Sequence, residues 1–248
     1  MKNLKDLEND FYKMVIGDSK IDQIQSFYMP NPPICTKPKF CLIGMEPSLK
    51  WMEIEERQVE NPSSFPEKLR FERMNFLFSE EDFILHYCAC YFLCKGEYKY
   101  YVTDISKGAM LTKNAGKQRT ERYQRWLPLL KEEMQILGNP IIISIGKAPA
   151  EFLQKNEVKT QDSIMHYSSQ NSGRFKLDYT AFEDKESLQH IHHELRAFSI
   201  KLLEHLQFPS ELLNKKVDRI FQDGLTDWKK GIYLHYKNKF TEILVEKI

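Results

Sequence analysis

The sequence predicts an α/β fold, a three-layer α/β/α arrangement around a central, mostly parallel four-stranded sheet, with helical extensions at both ends. Four short runs rich in β-branched or aromatic residues have the length of strands: Phe40–Gly44, Tyr98–Thr103, Ile141–Ile145 and Ser163–Tyr167. Segments with helical periodicity separate them, and alternation of strand and helix implies a parallel sheet covered by helices. Each run also ends in a polar cluster, at the carboxyl end where such sheets bind ligands.

The elements follow in order. Residues 4–16 repeat apolar positions at helical spacing, and Gly17 is expected to end that helix. Tyr28–Pro38 is a Pro-rich loop, because proline cannot donate to a strand ladder. Between the strands, Glu67–Phe78 and Glu121–Leu137 carry helical patterns. A further helix is expected near Pro149–Leu153, after Gly146 and Lys147, and an amphipathic one over Leu188–Leu206. Short helices fill Ser210–Ile248. The division expected is an N-terminal helix and loop over 1–35, a catalytic domain over 36–206 and a helical extension over 207–248.

Composition narrows the function less than the motifs do. Of 248 residues, 42% are hydrophobic, enough to bury a core. The 36 Lys and Arg nearly balance 35 Asp and Glu, so net charge selects no partner and any nucleic-acid surface must be local. No apolar run approaches the ~20 residues that cross a bilayer. The odd count of five Cys and the absence of an apolar leader suggest a reduced, cytoplasmic chain with no membrane partner. Cys88, Cys90 and Cys94 lack a second ligand pair and are expected to be buried thiols. His190, His192 and His193 are expected on a surface helix, not in a metal site.

Four segments lie at the strand ends: GMEPS (Gly44–Ser48), YVTDISK (Tyr101–Lys107), IIISIG followed by Lys147, and HYSSQN (His166–Asn171). In content and order they resemble the motifs of the uracil-DNA glycosylase superfamily over roughly residues 36–200. The nearest forms are the GMNPG and HPSPRN of the single-strand-selective monofunctional uracil-DNA glycosylases. The resemblance implies a uracil-DNA-glycosylase-like sheet and water-mediated hydrolysis of the N-glycosidic bond of a base flipped out of DNA, leaving an abasic site. It implies no metal and no organic cofactor, and a monomer is expected.

The resemblance also implies roles. Glu46 stands where the family has Asp or Asn, and would hold the attacking water and steady the cationic sugar. A solvated loop glutamate is the plainer alternative. His166 would donate to the departing base oxygen, against the alternative of a satisfied strand-end histidine. Tyr167 replaces the motif proline. Ser48, Ser168, Gln170 and Asn171 would touch DNA, with Gln170 at the wedge position, and Arg174 follows just beyond. Phe65, Trp51 and Met45 are candidates to contact the flipped base, although aromatics are more often core.

Asp104 is the informative departure, since uracil enzymes usually carry Asn there. An ionised carboxylate offers only acceptors, so it would repel uracil O4 and accept from a cytosine amine. A modified cytosine, for example in phage DNA, is therefore the expected target rather than plain uracil, with a conventional uracil-DNA glycosylase of base excision repair as an alternative. Alternatively, Asp104 caps a following helix. Lys107, Lys113, Lys117, Arg119, Arg122 and Arg125 cluster after this strand, with Gly108, Asn114 and Gly116 marking a loop, and Lys147 starts a helix. They are expected to track phosphates, the alternative being a solvated face. Two other readings stand beside the enzyme: a catalytically silent, glycosylase-like DNA-binding module, and a nucleotide-handling α/β enzyme. The latter ranks low because no Gly-rich phosphate loop is present.

Overall fold

A computed structural model describes residues 2–21, 24–27, 35–49, 74–111, 118–167, 174–175 and 185–245. By contacts the chain forms two units, Met1–Asn75 with Tyr101–Ser163, and Phe76–Tyr100 with Ile164–Ile248.

The first unit holds a four-stranded, all-parallel sheet: β2 (Phe40–Gly44), β4 (Tyr100–Asp104), β6 (Ile141–Ile145) and β7 (Thr160–Ile164), in the order β4-β2-β6-β7. β2 and β6 pair in parallel from Phe40↔Ile141 to Ile43↔Ser144. Neighbouring residues of β2 point to opposite faces, yet Phe40, Cys41, Leu42 and Ile43 are all fully buried, so both faces are covered, as parallel sheets require. One face packs on α1 (Leu4–Ser19), α3 (Arg119–Ile136) and α4 (Lys147–Lys155), where Leu7, Phe11, Trp126 and Leu153 meet Cys41, Ile43 and Tyr101. Asn3 and Asp6 form a capping box on α1.

A second, smaller sheet of order β1-β5-β3 joins β1 (Ile24–Phe27), β5 (Gly108–Leu111) and β3 (Ser48–Leu49). It went unpredicted because strands of two to four residues leave no alternation to read. β1 runs antiparallel to β5, and β3 runs parallel to it with Ser48 opposite Met110. The loops that leave β2 and β4 are thereby tied together.

The second unit is helical. α2 (Glu80–Cys88) runs into a π-helical turn (Ala89–Leu93), and α5 (Lys185–His205), α6 (Ser210–Ile220) and α7 (Asp227–Val245) pack around it. Ser79 and Asp82 form the capping box of α2. Gly231 lets α7 pass close to Phe175: a Cβ there would lie 2.9 Å from the Phe175 carbonyl oxygen.

Two strands match the sequence expectation residue for residue, and β4 is shifted by one to two residues. The fourth is shifted three residues toward the N-terminus, so His166 lies beyond its end and not within it. Its apolar residues Ile164, Met165 and Tyr167 had been taken for strand, whereas β7 itself is Thr-Gln-Asp-Ser-Ile with two exposed side chains. Gly17 does not end α1, which continues to Ser19. Within the expected helix 67–78, the described residues 74–78 form a bridge and turn, and the helix starts at Glu80 after the Ser79 cap. The buried thiols are borne out: Cys41, Cys88, Cys90 and Cys94 are buried.

Candidate active site

The first unit brings Glu46 and Asp104 to the carboxyl ends of adjacent strands. Ile105 N donates to Gly44 O at 3.1 Å and Ser106 N to Met45 O at 3.2 Å, so the turns after β2 and β4 run side by side. Met45 packs its side chain against the core while its carbonyl makes this link.

Glu46 is no solvated loop residue; its side chain is 2% exposed. Oε1 accepts from Arg119 Nη2 at 2.8 Å, Oε2 accepts from the Tyr123 hydroxyl at 2.5 Å, and Arg122 Nη2 lies 3.6 Å from Oε2. All three partners sit on the first turns of α3 at i, i+3 and i+4, one face of a helix, and its N-terminal end adds favourable dipole charge. That spacing, R-x-x-R-Y, is the signal in the sequence that would have found them.

Asp104 is also buried, and Asn75 Nδ2 donates a short hydrogen bond to its Oδ2. Its Oδ1 has no hydrogen-bond partner among the described residues. Burial, opposed by Lys107 and reinforced by the negative Glu46, pushes its carboxyl up to about 8. Asp104 is therefore mostly a neutral acid at pH 7, which corrects the premise of an ionised acceptor-only group. The capping alternative is corrected as well, since strand β5, not a helix, follows.

Lys107 is not on a phosphate-tracking rim. It is 1% exposed, and its ammonium donates to Thr103 Oγ1 at 2.8 Å, to the Asp104 main-chain oxygen at 2.5 Å and to Glu133 Oε2 at 2.9 Å. Glu133 Oε1 accepts from Tyr101 and Thr103, both at 2.9 Å, so the buried pair is fully hydrogen-bonded. Arg122 is buried, and Arg125 donates to Asp18 Oδ1 at 2.6 Å beside Trp126, which donates to Oδ2 at 2.7 Å. Within the described part of the basic run, then, Lys107, Arg119, Arg122 and Arg125 face acidic partners inside the unit. A linear count of charges could not reveal this, because the acids lie up to 107 residues away in sequence. Lys147 is exposed at the start of α4 and lies 3.5 Å from Glu151.

His166 belongs to the second unit. Its ring stacks on Tyr167, with centroids 4.9 Å apart and planes at 17°. The Tyr167 hydroxyl donates a short hydrogen bond to Asp82 Oδ1, while Asp82 Oδ2 accepts from Phe78 N and Ser79 N at 2.8 and 2.9 Å. Met165 is held by α7: its N–H donates to His235 Nε2 at 3.3 Å and its carbonyl accepts from Tyr236 at 2.8 Å. Burial lowers the His166 imidazole to about 4, so it is neutral at pH 7. Tyr167, read only as a departure from proline, is thus a support for this ring.

Arg174 is exposed in a short turn. Ser48 lies in β3, where the backbone alone is described. Trp51, Phe65, Lys113, Lys117, Ser168, Gln170 and Asn171 lie outside the described residues. Of the three histidines on α5, His190 pairs with Glu194 at 3.3 Å and His192 lies 3.6 Å from Glu80. No group of three or more His, Cys, Asp or Glu that could hold a metal ion occurs among the described residues. Nor is any described helix long and apolar enough to cross a membrane. No protein-family model matches the chain, and no curated protein matches it significantly.

Proposed function

We propose that the chain is a monofunctional DNA glycosylase that hydrolyses the N-glycosidic bond of a flipped-out pyrimidine. The observation that carries this reading is the pair of carboxyl groups on neighbouring strand ends, held in unlike environments. Glu46 faces two guanidinium groups, whereas Asp104 has none against its carboxyl and stays protonated. Unlike surroundings of this kind give two carboxyls different roles, as a glycosidic site needs. Water attacks C1′ as the C1′–N bond breaks. The bond's electron pair leaves with the base, and the water's proton passes to Glu46. With Lys107, Arg122 and Arg125 committed internally, phosphate contacts fall to Lys147, Arg174 and the segments around Lys113, Lys117 and Ser168. Uracil and modified cytosine are the two target classes, and repair or defence against phage DNA would each use this chemistry.

One observation favours a second reading, a DNA-binding module without turnover. Both Glu46 oxygens are occupied by Arg119 and Tyr123, so Glu46 must release a partner to hold a water. Base release decides between them. DNA containing uracil, 5-hydroxymethylcytosine or its glucosylated form is incubated with the protein and free bases are counted by mass spectrometry. The enzyme reading expects release of one base, reduced roughly 10²–10⁴-fold in Glu46→Gln. Binding of DNA without release from any substrate would establish the module instead.

A further inference from the structure

We propose that Arg119 is a latch on Glu46 that a DNA phosphate opens: the guanidinium leaves the carboxylate for a phosphate flanking the target nucleotide, and the Glu46 oxygen it vacates takes the attacking water. This rests on the glycosylase reading of the site and deepens it, by naming the residue that the closed site and the bound strand share.

The three partners of Glu46 are not equally held. Arg122 is fully buried, and Tyr123 is buried with its ring edge-on to Phe152, centroids 5.2 Å apart and planes at 75°. Moving either would open the core. The Arg119 side chain, at the first residue of α3, is 29% exposed. It grips Glu46 through a single atom, Nη2, at 2.8 Å from Oε1. Its Nε is buried and has no hydrogen-bond partner among the described residues. A buried donor without an acceptor is costly, and points to a ligand that supplies one. Nε and Nη2 form one edge of the guanidinium, and that edge matches two oxygens on one atom. Glu46 fills only half of it, because its other oxygen accepts from the Tyr123 hydroxyl at 2.5 Å. A phosphodiester has two non-bridging oxygens and fills both halves. The exchange therefore satisfies Nε, and it does not strand Glu46. Tyr123 still donates to Oε2, and Arg122 Nη2 stays 3.6 Å from the same oxygen. Oε1 is the atom set free. The phosphates flanking a nucleotide lie one sugar away from its C1′. A guanidinium touching the carboxylate that directs water to C1′ is thus well placed to meet one of them. The neighbouring cations Lys107 and Arg125 cannot take this part, since Thr103, the Asp104 main-chain oxygen, Glu133 and Asp18 hold them. Because the phosphate engages only the open state, binding of the strand and release of Glu46 are coupled.

The test uses the full chain and a fluorescent single-stranded oligonucleotide carrying a tetrahydrofuran abasic site. That probe has the flanking phosphates but no base and no glycosidic bond, so the result depends neither on the target base nor on turnover. Binding is followed by anisotropy in a double-mutant cycle. Glu46→Gln is expected to tighten binding about fivefold or more while Arg119 is present, and by less than about twofold in an Arg119→Ala chain. Arg119→Ala alone is expected to reduce the slope of log affinity against log salt by about 0.7, the share of one phosphate on a single strand. Arg119→Lys keeps a charge beside Glu46, so it serves if the alanine variant does not fold. It is expected to keep the salt slope and to bind more weakly than the unmodified chain, because an ammonium lacks the two-donor edge. A Glu46→Gln effect of equal size with and without Arg119, a salt slope unchanged in Arg119→Ala, or Arg119→Lys binding as tightly as the unmodified chain would overturn the inference. Failure of the glycosylase reading looks different. Coupling between Glu46 and Arg119 with no base released from hydrolysable DNA keeps the latch and removes the enzyme, whereas base release without coupling keeps the enzyme and removes the latch.

Discussion

Two carboxyl groups and one ammonium in the first unit decide much of its behaviour at the level of single residues. Lys107 and Glu133 form a buried ion pair, and such pairs are strongly destabilising when only one member is removed. Lys107→Met is expected to cost about 3–5 kcal/mol, since it strands the Glu133 charge in the core. Lys107→Met with Glu133→Leu is expected to be more stable than the single variant, although the Tyr101 and Thr103 hydroxyls lose their acceptor. Urea midpoints at constant m-value check the order. Asp104 gives a prediction in pH. Its folded carboxyl titrates at about 8 against an ordinary value of 3.8, so the folded state keeps a proton that the unfolded chain has lost. Its contribution to stability is full below the lower value and is lost as pH rises toward the upper one, by up to about 1.4 kcal/mol per pH unit. Between pH 6.5 and 8, Asp104→Asn is expected to flatten this decline, as followed by thermal unfolding in a pH series.

Caps and supports set the position of whole elements in the second unit. Asp82 serves both as the third-position acid of the α2 capping box and as acceptor for Tyr167, which stacks on His166. Ser79→Ala is expected to cost about 1 kcal/mol by removing the cap. Tyr167→Phe is expected to cost about 1–3 kcal/mol by taking a donor from a buried carboxylate. If Tyr167 orients His166, Tyr167→Phe also alters the His166 ring resonances in an NMR spectrum, whereas Ser79→Ala leaves them in place. His86, in the last turn of α2, sits between the Tyr100 hydroxyl, at 3.0 Å, and the Phe76 carbonyl, at 3.2 Å, and burial lowers it to about 4. Its neutral form is the folded one. The stability it supports is present above pH 6.5 and is lost as pH falls from there toward 4, with His166 acting in the same sense. A melting temperature that does not fall over this interval would contradict that assignment.

Over the whole molecule the thiols report how completely the interior is closed. Cys41, Cys88, Cys90 and Cys94 are buried, while Cys35 is half-buried near the surface. Burial raises Cys41, Cys88 and Cys90 above an ordinary thiol, which leaves little thiolate to react. A disulfide reagent at pH 8 is expected to modify Cys35 quickly in the native chain and the other four only on denaturation. Rapid reaction of two or more thiols would show that the native core opens on the timescale of the assay.

Periodicity and composition by themselves determined the parallel strands β2 and β6, the helix after β5, the buried thiols and the placement of Glu46 and Asp104 at strand ends. These follow from local patterns of apolar and turn-forming residues, which the chain carries wherever it folds. The short β1-β5-β3 sheet and the end of β7 were not legible, because a pairing of two to five residues is settled by its neighbours and not by its own alternation. Charge was the least legible property. A run of lysines and arginines reads as a surface until its acids are known. Here Glu46, Asp18 and Glu133 reach it from other elements and turn Arg119, Arg125 and Lys107 inward. The protonation of Asp104 was likewise decided only by tertiary structure, since burial and the charges brought around it, not its own chemistry, fix whether that carboxyl donates or accepts.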